Sequence, residues 1–364
     1  MQLLQDAQHA HGQRELARGH SVPEPAAECY KRVMQAILMT STGEPEVLQP
    51  AEVAEPGVTT ATGIKVQLKA AGVNPVDTKL RRRGVLYPDA LPAILGCDGA
   101  GIVTETGPRV QHFRPGDAVW FCHGGLGGAP GNYAEYTVLD ESEAAPLPAS
   151  LDFTAAAALP LVLITAWEAL FDRARLGRDQ TVLIHAGAGG VGHVAIQLAR
   201  SAGARVATTV SSDAKAALAA ELGAEKIIRY RDCDFVEQVL DWTDGQGVDV
   251  VLDSLGGDTF SRSLSAARVY GQVVTLLDPG STANWSEARN RNLGISFTLM
   301  LTPMLQDLPA ARRHQTDILR RGAELIEQGK LKPLVSKVLP LQQAATAHAL
   351  LEQGHVQGKI VLTM

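Results

Sequence analysis

The stretch Thr181-Val-Leu-Ile-His-Ala-Gly-Ala-Gly-Gly-Val-Gly192 decides the fold of this chain. Its first five residues predict a buried parallel strand, and Val194–Arg200 opens a helix. The glycines between them spell G-x-G-x-x-G, which in a strand–turn–helix setting indicates a dinucleotide site. They allow a tight turn, backbone approach of a pyrophosphate and close helix packing, and the helix N-terminus offers N–H groups to the phosphates. The residues predicted to bind the cofactor here are Gly187, Ala188, Gly189, Gly190, Val191 and Gly192.

The end of the next strand, Arg205–Val210, indicates which dinucleotide is bound. An NAD site usually places Asp or Glu there, on the ribose 2′-hydroxyl, and this strand has neither. The hydroxyl of Ser211 and the ammonium of Lys215 suit a 2′-phosphate instead, so NADP(H) is the predicted cofactor. Two alternatives stay open: Ser211 and Ser212 can cap the following helix, and Asp213 can serve a 2′-hydroxyl.

Length, charge and cysteine content narrow the class of protein. The chain has 364 residues, which suggests two domains, and its net charge of −6 gives no reason to expect nucleic acid or an anionic membrane as a partner. No apolar run reaches the roughly 18 residues that a spanning helix needs. The cysteines follow no C-x-x-C spacing, so we expect neither a disulfide framework nor a zinc cluster. A reducing cytoplasm is the expected location.

The pattern of apolar residues changes along the chain. Up to about residue 150 it predicts many short strands, among them Ile64–Lys69. The segment Ala155–Leu170 is predicted to be helical. After it, predicted strands and helices alternate as in a parallel sheet, and the tail of the chain again predicts strands. We therefore expect a β-rich domain split around an inserted nucleotide-binding domain. The predicted boundaries are a frayed extension at 1–33, the β-rich domain at 34–154 and 306–364, and the nucleotide-binding domain at 155–305.

Several motifs, in order, cover residues 34 to 364. They are Gly43-Glu-Pro-Glu-Val-Leu48, Ala71-Gly-Val-Asn-Pro-Val-Asp77, Leu95-Gly-Cys-Asp-Gly-Ala-Gly101, Phe113-Arg-Pro-Gly-Asp-Ala-Val119, Leu163-Ile-Thr-Ala-Trp-Glu-Ala169, the glycine fingerprint and Gln357-Gly-Lys-Ile-Val-Leu362. With them the chain resembles the medium-chain dehydrogenase/reductase superfamily, in its zinc-less quinone oxidoreductase and enoyl reductase-like branch. The resemblance implies an α/β fold: a GroES-like β-rich catalytic domain with an inserted Rossmann domain.

The zinc positions of that superfamily are changed in this chain. Asn74 and Leu161 stand where alcohol dehydrogenases have cysteine ligands, and Cys97-Asp98 stand where they have His-Glu. A zinc site needs about three protein ligands, so we expect no metal. The resemblance then implies an NADPH-dependent, zinc-independent enzyme that reduces quinones or α,β-unsaturated carbonyl compounds by hydride transfer. The alternatives are a catalytically weak NADP(H)-binding sensor or structural protein and a zinc-less alcohol dehydrogenase-like enzyme.

The resemblance also suggests which residues meet the substrate. Asn74 can donate to the substrate oxygen, or it can be a structural turn residue before Pro75. Tyr87 matches a hydroxyl that relatives use to orient or protonate substrate, or it is a packed aromatic. Asp77 either anchors the loop or faces the pocket. Lys79 stands where relatives often carry a tyrosine, and this departure leaves the tyrosine role open.

The remaining cofactor contacts come from the same resemblance. Leu276 would act through its backbone, Asp253 can instead cap the following turn, and Lys359 can instead be a solvated charge. Phe297 opens the apolar run to Leu301, which can instead be an edge strand. In relatives this strand pairs with the same strand of a second copy, so we expect a homodimer. The residues implied are Thr165, Tyr230, Asp253, Ser254, Leu255, Leu276, Phe297 and Lys359.

Overall fold

The structure is a computed structural model that describes residues 32–87, 90–281 and 283–364. Most of the predicted N-terminal extension, residues 1–31, lies outside this range. The first part of the chain is built from strands, as its alternating pattern predicts. Its elements are β1 Val33–Met39, β2 Leu48–Ala54, β3 Gly63–Val73, α1 Pro75–Arg83, β4 Ala93–Ile94, β5 Asp98–Thr106, β6 Ala118–Cys122, β7 Tyr136–Asp140 and β8 Ala144–Pro146, with 3₁₀ turns at Pro45–Val47 and Glu141–Glu143.

The predicted helical stretch Ala155–Leu170 is helical in the structure, but it is interrupted after Ala157. The segment forms α2 Phe153–Ala157, α3 Pro160–Trp167 and a π-helical turn Glu168–Arg173. Pro160 explains the break, because proline has no N–H to donate and fits only the first turn of a new helix. The break sets the start of α3, so the backbone N–H of Leu161 is free to bond outside its helix.

The middle of the chain forms the parallel sheet that the alternating pattern predicts. The strands lie in the order β11 (Lys226–Arg229), β10 (Arg205–Val210), β9 (Thr181–Ile184), β12 (Val248–Asp253), β13 (Ala267–Thr275) and β14 (Gly294–Phe297). The first strand of the chain is thus in the centre, and the direction of winding reverses between β9 and β12. Ligands of such sheets bind outside the carboxyl ends of the strands at that point. The elements are β9 Thr181–Ile184, α4 Gly190–Ser201, β10 Arg205–Val210, α5 Asp213–Leu222, β11 Lys226–Arg229, α6 Phe235–Trp242, β12 Val248–Asp253, α7 Gly257–Ala266, β13 Ala267–Thr275, α8 Trp285–Asn290 and β14 Gly294–Phe297.

The edge strand β14 is shorter than the apolar sequence allows. The alternative strand Phe297–Leu301 is wrong in extent, because the N–H of Thr302 bonds to the Leu299 carbonyl and the chain turns into the next helix. The alternating pattern also predicts strands at Gly96–Thr104 and Tyr133–Val138, and β5 and β7 differ from these by two or three residues at the ends. Such ends depend on turns that periodicity does not encode.

The tail returns to the sheet of the first part. β16 pairs antiparallel with β3, with Ile360 opposite Val73, and β15 lies beside β16. The resulting sheet has the order β15-β16-β3-β5-β6-β8, with β7 also on β3, while β2-β1-β4 form a smaller sheet. The elements of the tail are α9 Thr302–Leu305, α10 Pro309–Glu327, β15 Val335–Pro340, a 3₁₀ turn Leu341–Gln343, α11 Ala344–Gln353 and β16 Lys359–Thr363.

Candidate cofactor and substrate site

The glycine turn lies at the carboxyl end of β9, where the sheet reverses its winding. Ala186 has a φ of 54°, and its carbonyl oxygen accepts the N–H of Gly189 at 2.8 Å. A Cβ atom on Gly192 would lie 2.2 Å from the same oxygen, and one on Gly187 would lie 2.1 Å from the Thr208 hydroxyl oxygen. Side chains at these two positions would therefore separate the turn from the helix or the strand.

The N-terminus of α4 is open for an anion. The first helical bond runs from the N–H of His193 to the Gly189 carbonyl at 3.1 Å, so the N–H groups of Gly190, Val191 and Gly192 have no partner in the helix. The Ala188 carbonyl accepts the N–H of Gly358 at 2.8 Å, which ties the turn to the start of β16. These donors and the small glycine surface fit a dinucleotide pyrophosphate.

The end of β10 carries the residues predicted for the ribose. Ser212 is the N-cap of α5, and its hydroxyl accepts the N–H of Lys215 at 3.4 Å, so the capping alternative holds for Ser212. Asp213 is paired with the guanidinium of Arg229, which also bonds Asp232 at 2.8 Å. Lys215 has no carboxylate within 4 Å among the described residues. The carboxylate of Asp213 is thus paired with a guanidinium, whereas the ammonium of Lys215 is not paired with a carboxylate among the described residues.

The carboxyl ends of β12, β13 and β14 lie side by side. Asp253 is fully buried and accepts the N–H groups of Leu255 and Gly256 at 3.0 and 3.1 Å, so its carboxylate organises the turn, as in the alternative interpretation. The N–H of Leu276 bonds the Asp253 carbonyl at 2.9 Å. Further predicted cofactor residues lie at the carboxyl edge of the parallel sheet. Ser254 is half-buried there, and exposed side chains are found at Tyr230, Leu255 and Phe297.

A sealed cluster joins the two parts of the chain; it consists of Asn74, Asp98 and Lys359. The Lys359 ammonium bonds the Asn74 side-chain oxygen and lies 3.5 Å from Asp98 Oδ2, while Asn74 Nδ2 donates to that oxygen at 2.9 Å. The Leu161 N–H donates to Asp98 Oδ1 at 2.7 Å. Burial raises the pKa of Asp98, against the opposing charge of Lys359. Lys359 is only 3% exposed, so the alternative of a solvated charge is wrong.

Neighbours of the sealed cluster reach the cofactor turn. A Cβ atom on Gly190 would lie 3.4 Å from Lys359 Cδ, so the lysine chain passes beside the helix N-terminus. Thr165 is one turn beyond Leu161 on α3, and its hydroxyl donates to the Leu161 carbonyl at 2.7 Å. Asn74, by contrast, is fully buried, with both polar atoms of its side chain bonded inside the protein.

Asp77 anchors the loop beside this cluster. Its Oδ2 accepts the backbone N–H of Asn74 at 2.8 Å and the Tyr133 hydroxyl at 3.0 Å. Burial raises the pKa of Asp77 to about 7, although both hydrogen bonds oppose the rise. Of the two interpretations open from the sequence, the structure supports the anchor, since Asp77 is fully buried; Lys79 on the same helix is exposed.

Tyr87 lines a cavity of about 180 Å³, which we call the acceptor cavity. Its aromatic ring lies 3.1 Å from where a Cβ of Gly128 would be, and the N–H of Leu86 bonds the Leu126 carbonyl at 2.9 Å. Burial, and then the charge of Asp307, raises the pKa of Tyr87. The hydroxyl therefore keeps its proton at neutral pH and can act as a hydrogen-bond donor.

The acceptor cavity also contains a triad that the sequence analysis missed: His123, Glu143 and Arg312. His123 Nδ1 lies 2.5 Å from Glu143 Oε2, and the Arg312 guanidinium contacts both Glu143 oxygens, at 2.9 and 3.2 Å. Burial alone would raise the pKa of Glu143, but the hydrogen bonds and charges of His123 and Arg312 lower it to about 2. A signal was present in the sequence: a histidine directly follows β6 and opens the loop Gly124–Gly131.

A short path of contacts connects this cavity to the sealed cluster. The N–H of His123 donates to the Cys97 carbonyl at 2.8 Å, and Cys97 precedes Asp98. Asp98 itself lies opposite Cys122 in the β5–β6 pairing. Because Asp98 contacts Lys359 and Lys359 passes Gly190, the sealed cluster connects the acceptor cavity with the cofactor turn.

Two family sequence models match the chain. One, described as alcohol dehydrogenase GroES-like domain, covers residues 60–149, and the other, described as zinc-binding dehydrogenase, covers residues 222–362. Quinone oxidoreductase 1 of Escherichia coli is 36% identical over 326 residues, which are 88% of this chain and 96% of that protein. This chain belongs to the medium-chain dehydrogenase/reductase superfamily, in its quinone oxidoreductase-like branch. The family and enzyme class predicted from the sequence are thereby confirmed.

Further relatives of that branch agree in fold. The crystal structure of Escherichia coli quinone oxidoreductase complexed with NADPH superposes with a TM-score of 0.80 at 33% identity, covering 91% of this chain and all of that one. A 2-haloacrylate reductase of Burkholderia sp is 32% identical over 91% of this chain and 98% of its own. The predicted GroES-like and Rossmann fold class is confirmed, and the chain is an oxidoreductase with a nicotinamide cofactor.

Within residues 32–87, 90–281 and 283–364, no three His, Cys, Asp or Glu side chains are grouped to hold a metal ion. No helix in those ranges has the length and hydropathy to cross a membrane.

Proposed function

We propose that the protein is an NADPH-dependent, zinc-independent reductase of quinones or α,β-unsaturated carbonyl compounds. The observation that carries this proposal is the acceptor cavity, with Tyr87 and His123 in its wall, one buried group away from the glycine turn. A bound reduced nicotinamide would supply hydride, and the chain would supply orientation and hydrogen bonds to the oxygen that gains charge. Names of relatives that reduce quinones and a haloacrylate support the same acceptor class.

The experiment follows NADPH absorbance with four acceptors: a naphthoquinone, an orthoquinone, a 2-alkenal and a crotonyl thioester. Oxidation with a quinone or the alkenal is the expected result. No oxidation above background, with NADPH still bound, would instead favour a nucleotide-binding sensor.

Zinc independence is proposed from the chemistry of the available donors. Leu161 offers only backbone and alkyl groups, and the oxygens of Asn74 and Asp98 already face the ammonium of Lys359. The Lys359 cation in this position supplies the positive charge that a metal would supply. A zinc site also needs about three protein ligands, and these residues do not offer that many. Metal analysis of the purified protein tests this, and zinc at one equivalent per chain would refute it.

The preference for NADPH over NADH is proposed from the corner after β10. Arg229 pairs with Asp213 there, and Lys215 has no carboxylate beside it among the described residues, so a 2′-phosphate would meet an ammonium that is not already paired. Ser211 adds a hydroxyl. We expect Lys215→Ala to weaken NADPH binding about tenfold and to leave NADH binding unchanged, in line with one lost charged hydrogen bond. Lys337→Ala, an exposed lysine on β15, is the matched control.

We also propose a homodimer formed through the edge strand β14. Phe297 and Leu299, 57% and 48% exposed, stand at its end, and an uncovered apolar edge invites pairing with a second copy. Light scattering at micromolar concentration is expected to give twice the monomer mass and Leu299→Asp to lower it. A monomeric mass for the unchanged protein would reject the dimer.

The division of the chain and its compartment complete the proposal. We propose domains at 34–154 with 306–364 and at 155–305, because the tail pairs with β3 and the parallel sheet is continuous between. A reducing cytoplasm suits the free thiols of Cys97 and Cys122, which are buried. Limited proteolysis followed by mass spectrometry tests the division, and cell fractionation tests the location.

A further inference from the structure

His123 is placed in the acceptor cavity in the manner of an acid–base histidine. Its Nδ1 faces Glu143 at 2.5 Å, and an ionised carboxylate only accepts hydrogen bonds, so Nδ1 carries a proton. Its Nε2 has no hydrogen-bond partner among the described residues, and the side chain is 14% exposed. The imidazole is thus held at one nitrogen and has no protein partner at the other among the described residues, and His123 lines the acceptor cavity.

The other side of Glu143 fixes this geometry. Arg312 holds both carboxylate oxygens and also donates to the Cys122 carbonyl at 3.0 Å, so the arginine is bound to the strand that ends beside His123. Arg312 is 7% exposed and comes from α10. Groups from three elements therefore hold the imidazole, and its orientation does not depend on a bound ligand.

We propose that His123 is the general acid that protonates the reduced acceptor, with Glu143 and Arg312 as positioning residues. This inference rests on the proposed reductase function and deepens it. Tyr87, in the same cavity, is then the hydrogen-bond donor that holds the substrate oxygen.

The proposed step balances as follows for an α,β-unsaturated carbonyl compound. The β-carbon accepts a hydride from the reduced nicotinamide, and the carbon–carbon π pair shifts so that the carbonyl oxygen carries a negative charge. The proton on Nε2 of the His123 imidazolium then passes to the α-carbon, and the carbon–oxygen double bond re-forms. The neutral imidazole that remains takes a proton from water. No further oxidant or reductant is needed.

A quinone places a weaker demand on this acid. Two-electron reduction of a quinone gives a hydroquinone anion, an oxygen base that exchanges protons with water without help. An enolate must instead be protonated at carbon, where a positioned acid typically contributes about 10²- to 10⁴-fold. Loss of His123 should therefore affect the reduction of an enal far more than the reduction of a quinone. A merely structural role would affect both acceptors alike.

The test compares wild type with His123→Gln, using trans-2-hexenal and 9,10-phenanthrenequinone. We expect kcat with the enal to fall about 100-fold, as for loss of a general acid, and kcat with the quinone to change less than about threefold. The dissociation constant of NADPH and the melting temperature should stay the same. His314→Gln is the matched control, since His314 pairs with Asp172 at 2.8 Å on the protein surface and should leave both rates unchanged.

The pH profile gives a second readout. Wild-type kcat with the enal should fall at higher pH as the imidazolium loses its proton, and this limb should be absent in His123→Gln. The charged or titratable groups that line the cavity with His123 are Glu143, Arg312, Tyr87 and Asp307, of which Glu143 bonds its Nδ1. Equal loss on both acceptors, or an unchanged enal rate and pH limb, would overturn the assignment of His123. Failure of the wild type to reduce any acceptor would overturn the proposed function itself.

Discussion

The two charged clusters on β5 and β6 contain similar groups in different surroundings. Both have one carboxylate between a cation and a nitrogen-bearing side chain: Asp98 with Lys359 and Asn74, and Glu143 with Arg312 and His123. The first is sealed, with Asp98 at 0% and Lys359 at 3% exposure. The second cluster borders a cavity. The pKa values of the two carboxyl groups change in opposite directions: burial raises the pKa of Asp98, whereas His123 and Arg312 lower the pKa of Glu143 to about 2.

The difference shows what solvent access does to the same chemistry. In the sealed cluster all ionisable atoms face protein, so the charges connect segments that are distant in the chain, and a proton has no route to substrate. In the cavity cluster one imidazole nitrogen is left without a protein partner among the described residues. We infer that the first cluster stabilises the arrangement of the site and that the second does its chemistry.

Lys359→Met should produce the largest effect on stability. It keeps most of the side-chain volume and leaves Asp98 buried without its cation, and breaking such a pair typically costs about 3–5 kcal/mol. Urea unfolding measures the change in the free energy of unfolding. Lys337→Met, an exposed lysine on the neighbouring strand, should change it by less than about 0.5 kcal/mol.

A double variant decides whether the charge is the cause. Asp98→Asn combined with Lys359→Met removes both charges, and part of the lost stability should return because no unpaired charge remains. If the double variant is as unstable as the sum of the single ones, packing and not charge accounts for the loss. The sealed cluster would then differ from the cavity cluster in shape alone.

The dependence of stability on pH sharpens the comparison. Asp77, which bonds the backbone of Asn74, has a folded-state pKa raised to about 7 by burial, above its unfolded value of about 4. The folded state therefore binds the extra proton, and this stabilisation is full below about pH 4 and lost as pH rises through about 7. We expect the stability that Asp77 contributes, taken as the difference in the free energy of unfolding between wild type and Asp77→Asn, to fall between pH 5 and pH 8.

Glu143 should give the opposite behaviour. Its folded-state pKa of about 2 lies below the unfolded value, so its contribution is present above about pH 4 and is lost as pH falls through 2. It adds no slope between pH 5 and pH 8. Asp244→Asn, an exposed carboxyl, serves as the control for Asp77→Asn. A difference between wild type and Asp77→Asn that does not change over this range would show that Asp77 titrates as an ordinary carboxyl.

Glu143→Gln tests whether the carboxylate positions and charges His123. Glutamine can accept the hydrogen bond from Nδ1 but gives the imidazolium no charge. We therefore expect kcat with the enal at neutral pH to drop about tenfold, equivalent to about 1.4 kcal/mol, and kcat with the quinone to change less than about threefold. Melting temperature serves as the check on folding. An equal loss with both acceptors would mean that Glu143 supports only the structure.

The sequence predicted the cofactor half of this site better than the acceptor half. The fingerprint at Gly187–Gly192 is local, because its strand, turn and helix are consecutive and the three motif glycines, Gly187, Gly189 and Gly192, meet atoms a few residues away or on the next strand. The same holds for the N-cap at Ser212. Such features follow from short-range rules on turns and helix ends.

The acceptor half depends on contacts between distant parts of the chain. Arg312 meets Glu143 across 169 residues, and Lys359 meets Asn74 across 285. Nothing in the spacing of these residues indicates that they touch, so Lys359 could equally be a solvated charge, and His123 gave no motif. Asp253 illustrates the intermediate case, since its position at a strand end is predictable but its partners in the turn are not.

Tyr87→Phe should give the smallest effect and separates the two functional groups of the acceptor cavity. If Tyr87 only donates a hydrogen bond to the substrate oxygen, its loss removes about 0.5–1.5 kcal/mol, or roughly a twofold to tenfold fall in kcat/KM. The loss should be similar for the enal and the quinone, because both carry a carbonyl oxygen that gains charge, and the pH limb assigned to His123 should remain. Tyr270→Phe, a tyrosine 66% exposed outside the cavity, is the control. Loss of the limb in Tyr87→Phe would instead make the tyrosine the acid, and the cavity triad would then be structural like its sealed counterpart.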